Sequence, residues 1–137
     1  MPYSTSFPLA IEVIIFIHIN NEENCHEFLS TRIIAENLNI PLSTTIKIIS
    51  KLIRSNLLES KEGAHGGIAT KKDLSEISLY EVLVSVENNV SLFKIPKNFT
   101  SSMRKYQEIF DKGLAALNQL EDDTTVYLKE VSLKDLL

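Results

Sequence analysis

Two stretches of this 137-residue chain concentrate groups able to hold a polyanion. The first, "EGAHGGIATKK", sets Gly63, Gly66 and Gly67, three of the four glycines, within five positions around His65 and ends in Lys71 and Lys72. Glycine-rich backbone can offer its N–H groups to a phosphate either between a strand and a helix, as in nucleotide-binding enzymes, or as a tight reversal between two strands. The second is a stripe. Ser43, Thr44, Lys47, Ser50, Lys51 and Arg54 follow one another at offsets of 1, 4, 7, 8 and 11 from Ser43, which puts them on one side of a helix. Ile46, Ile48, Ile49, Leu52 and Ile53 then form the other, apolar side. Hydroxyls at the start of such a helix suit base edges, whereas lysines and backbone N–H groups suit phosphates. A solvated charged face would carry the same pattern, and His65 is equally readable as a phosphate contact, charged according to pH near neutrality, or as an exposed turn residue.

The charge distribution bears on that choice. The formal net charge is −4, yet Leu42 to Lys72 holds six basic residues against Glu59 and Glu62, a local +4 that leaves −8 on the rest. Such asymmetry is expected of a polyanion-binding surface on an otherwise acidic protein. Composition, with 44% hydrophobic and 23% charged residues, is that of one ordinary soluble unit. Cys25 is the only cysteine, so no internal disulfide forms, and no signal-peptide pattern is seen; a cytoplasmic location is expected. The most apolar stretch, Leu9 to Ile19, is broken by Glu12 and His18 and falls short of the roughly 20 residues that span a bilayer, which predicts a buried helix and no membrane contact.

Catalysis is not expected. A nucleotide-binding loop needs a helix after its glycines and a Lys-Ser/Thr pair, but a second strand follows here, and no Ser-His-Asp or Cys-His set is compelling. Cys25, His26 and His18 lack metal-ligand spacing, so they read as structural, with no metal and no cofactor. Cys25 would become a redox signal only if exposed with a depressed pKa.

The elements that must position the two stretches are mostly helical. "STSFPLAIEVIIFIHINN", residues 4–21, reads as a first helix with Pro8 in its opening turn. Ser30 or Thr31 caps a second helix through Leu38, Pro41 enforces a break, and a third helix with Ser43 as cap runs from Thr44 to about Ser55, closed by Asn56. "LLESK" and "GIATKK" are two strands around the glycine turn, and "SLYE" is a capping box opening a fourth helix from Leu79 to about Glu87. Asn88 to Thr100 reads as a loop. From Ser101 to Leu120, Met103, Tyr106, Phe110, Gly113, Leu117 and Leu120 are spaced 3, 4, 3, 4 and 3, a seam about 30 Å long that packs either within the subunit or against its copy in a homodimer. "SLKDLL" is a terminal helix started by Ser132. The fold class is thus mainly α with a small β-ribbon: a winged helix-turn-helix over residues 1–87, and over 88–137 a loop, a long dimerisation helix and a terminal turn. In that plan the third helix enters the major groove and the ribbon tip lies along the backbone or minor groove.

This order of elements, and above all "SKLIRSNLLESKEGAHGGIATKKDLSEISLYEVLVSVE", resembles the Rrf-two family of bacterial transcriptional regulators, with its G-x-x-G-G wing and a closing segment similar to "SLKDLL". The resemblance covers nearly the whole chain. It implies a cytoplasmic homodimer, held by the long helix together with the first, that binds an imperfect palindrome in double-stranded DNA and represses transcription. The DNA contacts expected from the helix stripe and the glycine turn are Ser43, Thr44, Lys47, Ser50, Lys51, Arg54, Gly63, His65, Gly66 and Gly67. Cluster-binding members carry three cysteines where "NNVSLFKIPKNFTSSM" has none; Asn56 and Ile68 replace a usual glycine and aromatic, and basic residues are absent from "MPYSTSFPLA". The competing reading is a winged-helix interaction module that acts through a protein partner or small-molecule effector without strong DNA binding.

Overall fold

Pro8 is tolerated near the start of α1, Ser6–Glu23, because the first helical N–H groups have no intrahelical acceptor to lose. The computed structural model describes residues 4–23, 28–95 and 103–137; Cys25, His26, the part of the expected loop from 96 to 100 and the first two residues of the expected long helix, 101 and 102, lie outside them. Ala10, Val13, Ile14 and Ile17 of α1 are fully buried, and the helix packs on the second, third and fourth helices and on the ribbon. It is the central post of the fold.

Ser30 caps α2, Thr31–Leu38, its hydroxyl accepting from the Ile33 N–H, and Asn39 closes it in the left-handed conformation at φ 55°. The third helix, α3, spans Leu42–Arg54 and starts two residues earlier than expected. Pro41 takes the cap position in place of Ser43, since its fixed φ of −53° already leads into the helix, and the Thr45 hydroxyl donates to its carbonyl at 3.1 Å. Asn56, at φ 62°, reverses the chain into β1, Leu58–Lys61. Antiparallel β2, Gly67–Thr70, pairs Leu58 with Thr70 and Lys61 with Gly67, and Leu29 adds a bridge to Ile68 on its other edge.

Asp73 caps a 3-10 turn over Leu74–Glu76; hydrogen bonds from the Ser75 hydroxyl and N–H hold its carboxyl below the usual range. Ser78 caps α4, Leu79–Val86, by accepting from the Glu81 N–H. The reciprocal half of the expected capping box is replaced: the Glu81 carboxylate pairs with Lys72 at 3.5 Å instead of turning back to the cap.

The last helix, α5, runs over Arg104–Glu130, ten residues past the expected end. Thr and Asp are indifferent helix formers, so tertiary contact carries this extension: Thr124, Thr125 and Leu128 line a small cavity against Tyr80 and Leu83 of α4, and the Lys129 ammonium lies 4.8 Å from the Tyr80 ring centre. Ser132 and Asp135 complete a capping box on the closing turn, Leu133–Leu136. The Leu133 N–H donates to the Ile77 carbonyl at 2.8 Å, and its side chain is fully buried in the core cluster that includes α1 and α3 residues.

Candidate nucleic-acid interface

Docking of α3 on the core is set by Thr45, Ile48, Ile49 and Leu52, which are all buried. What remains exposed is Leu42 at the start of the helix and an arc made of Ser43, Ile46, Lys47, Ser50 and Arg54. This arc is rotated from the stripe read in the sequence. Ile46, expected on the apolar side, is 49% exposed, whereas Thr44 and Lys51 fall to the half-buried edges. Lys51 reaches away from the arc, its ammonium donating to the Val86 carbonyl at 3.2 Å. That carbonyl belongs to the last turn of α4, where a helix leaves its C=O groups unpaired and favours a cation.

Lys51 therefore acts within the fold as a tie between α3 and the end of α4. Lys51→Met, which keeps most of the stem and removes the charge, is expected to cost about 1–2 kcal/mol in urea denaturation. An unchanged midpoint would show that water replaces the tie without loss.

The ribbon tip is a tight turn in which the Gly66 N–H donates to the Gly63 carbonyl at 3.0 Å, leaving Ala64 and His65 exposed at the apex. The glycines have unequal reasons to be there. Gly63 has φ +107° with open space where a Cβ would stand. A Cβ on Gly66 would collide with the Lys61 carbonyl oxygen, and one on Gly67, at φ +144°, would lie 2.5 Å from the Leu29 oxygen. The close pairing of Leu29 with Ile68 thus fills the space beside Gly67.

Of the lysines flanking the ribbon, Lys71 donates to the Asn56 side chain at 3.2 Å and Lys72 pairs with Glu81. Exposed Lys47, Arg54 and Lys61 make no side-chain hydrogen bond or ion pair with another described residue. Lys61 lies outside the set expected from the sequence; its place at the strand end, paired with Gly67, was the available signal.

On α5 no residue is buried. Met103, Tyr106, Phe110, Leu117 and Leu120 of the expected seam are all exposed, as is Gly113, and a shallow apolar groove is lined by Ile109, Phe110, Gly113, Leu114 and Leu117. The helix touches the rest of its own chain mainly through α4, near its C-terminal half. Among the described residues no helix is long and apolar enough to cross a membrane.

The chain is similar to YffB of Lactococcus lactis subsp. lactis, 30% identical over 77% of this chain and 69% of that protein. It is likewise similar to YwnA of Bacillus subtilis, 29% identical over 88% and 90%. Both are named as candidate HTH-type transcriptional regulators. Among solved structures, CymR, the global cysteine regulator of B. subtilis, has the same fold, with a TM-score of 0.72 at 18% identity over 99% of this chain and 95% of that one. With α2 and α3 as the helix-turn-helix, β1 and β2 as the wing and α5 as the long C-terminal helix, this is a winged-helix regulator fold. The Rrf2 model, described as an iron-dependent transcriptional regulator, matches residues 3–137, and the chain belongs to this family, the Rrf-two regulators.

Proposed function

We propose that this regulator binds double-stranded DNA as a homodimer and represses transcription at an imperfect palindrome. The observation that carries the reading is the exposed arc of α3, where Ser43 and Ser50 alternate with Lys47 and Arg54, cations with no ion-pair partner among the described residues, while Lys61 stands at the base of the glycine turn. Ser43, Ile46 and Ser50 then face the major groove, Lys47, Arg54, Lys61, His65 and the Gly63 backbone meet phosphates, and Thr44 lies at the margin. Gly66 and Gly67 shape the turn. Residues up to 87 form the docking unit, and α5 pairs with its copy through the seam from Met103 to Leu120.

Among the described residues no donor set fits the iron in the family's description. Cys25 is the only cysteine, and among the described residues no three His, Cys, Asp or Glu side chains converge. No step is assigned to a metal.

Fluorescence anisotropy across a salt series tests the reading. With three or four phosphates neutralised per subunit, the slope of log K against log[salt] is expected near −5 to −7. Lys47→Ala removes one contact in each subunit, so the slope should flatten by about 2 and affinity should fall roughly tenfold at moderate salt. Equal binding by both proteins would remove α3 from the interface. Absence of binding to any tested duplex would favour a module that acts through a partner.

A further inference from the structure

Ile46 occupies the middle of the exposed arc, three residues after Ser43, four before Ser50 and beside Lys47, and it is 49% exposed. Leu42, one turn earlier, is 37% exposed on the same side. Neither belongs to the buried core cluster. A lone exposed isoleucine is unremarkable on an ordinary surface. On a helix face that enters a groove it has a consequence, because its neighbours at three and four residues are those proposed to reach base edges, so Ile46 cannot stay clear of them.

An isoleucine side chain has no donor or acceptor. Facing a base edge that offers hydrogen-bonding groups, it would strip their water and return nothing. One group on the major-groove edge escapes that penalty, the C5 methyl of thymine. We infer that Ile46 is a specificity-determining residue that selects thymine in each half-site by packing on its C5 methyl. The inference rests on the DNA-binding reading and adds to it the identity of a preferred base.

The test begins with selection of bound duplexes from a randomised 30-base-pair library by the full-length protein, once with the natural chain and once with Ile46→Ala. Every thymine of the selected half-site is then replaced in turn by uracil, which pairs identically and lacks only the methyl. At one position uracil should weaken the natural protein roughly fourfold per half-site, the value of one buried methyl, and leave Ile46→Ala unaffected. Ile46→Ala should also lose its preference for thymine at that position during selection.

A uracil scan that affects both proteins alike, or an unchanged selected motif, would overturn the inference while leaving DNA binding intact. Failure of the natural chain to enrich any duplex would overturn the DNA-binding reading and this inference with it. Because Ile46 is half exposed and outside the core, Ile46→Ala should keep its thermal midpoint within about 1 °C, which separates lost recognition from lost folding.

Discussion

Replacing Phe110 and Leu117 together with aspartate is expected to make the protein a monomer in solution and to lower its affinity for a palindromic duplex by roughly two to four orders of magnitude. The reason lies in α5. A helix of 27 residues, about 40 Å long, has no buried side chain, although Tyr106, Ile109, Phe110, Leu117 and Leu120 all fall on or beside one stripe. A stripe of that length left in water is a poor state for a folded protein, and in the proposed homodimer a second copy of the same stripe would cover it with self-complementary spacing. Gly113 fits this arrangement: apart from its own helix's nearby backbone, no described residue lies within 4 Å of a Cβ built there, so a partner helix would have room to approach closely at that point. Through the two-fold relation each substitution appears twice, so four carboxylates would be driven into an apolar seam. Losing the dimer converts simultaneous capture of two half-sites into single capture, which accounts for the large fall in DNA affinity. Sedimentation equilibrium gives the mass, and circular dichroism should show the fold retained, because neither side chain belongs to the core. A variant that stays dimeric would move the interface elsewhere, and a natural chain that is already monomeric would refute the pairing.

Local chemistry made much of this fold legible. Ser30, Ser78 and Ser132 cap the elements they were expected to cap, Asn56 takes the left-handed geometry that ends α3, and the ribbon turns where the glycines are. These signals depend on a residue and its near neighbours along the chain. Apart from the cap of α3, taken by Pro41 instead of Ser43, the errors came from distant ones. Offsets along α3 define a polar side, but which edge of it is covered depends on where the end of α4 docks, and the Val86 carbonyl draws Lys51 inward while Ile46 rolls outward. Glu81 was given to its cap because sequence order cannot show Lys72 arriving beside it. The length of α5 was hidden for the same reason, since Thr124, Thr125 and Lys129 gain their value from Tyr80 and Leu83, about forty residues earlier. For the candidate interface, the exposure of Ser43, Lys47, Ser50 and Arg54 could be read in advance, whereas the place of Ile46 in their midst could not.

The glycine cluster invites the conclusion that all its members serve phosphate binding, and a stability series should separate them. Gly67→Ala is expected to lower the unfolding free energy by about 2–4 kcal/mol, a large part of the 5–15 kcal/mol typical of a domain. Two costs combine there. A residue with a side chain is strained at φ +144°, and the new Cβ meets the Leu29 main chain, with oxygen at 2.5 Å and carbon at 2.7 Å. Main chain cannot swing aside as a flexible side chain can, so relief requires breaking the Leu29 to Ile68 pairing, whose two hydrogen bonds measure 3.0 and 2.6 Å. Gly63→Ala carries only the conformational cost, because its Cβ would stand in open space, and should lose about 1 kcal/mol. Urea denaturation of the three proteins checks the order. Equal midpoints for Gly67→Ala and Gly63→Ala would show that the Leu29 main chain yields freely and that the glycine is not demanded by packing. The expected order governs how DNA-binding data on the wing are read: lost binding in Gly67→Ala reports a disordered ribbon, so a direct phosphate contact at the tip has to be sought at Gly63 and His65, where substitution leaves the supporting pairing intact.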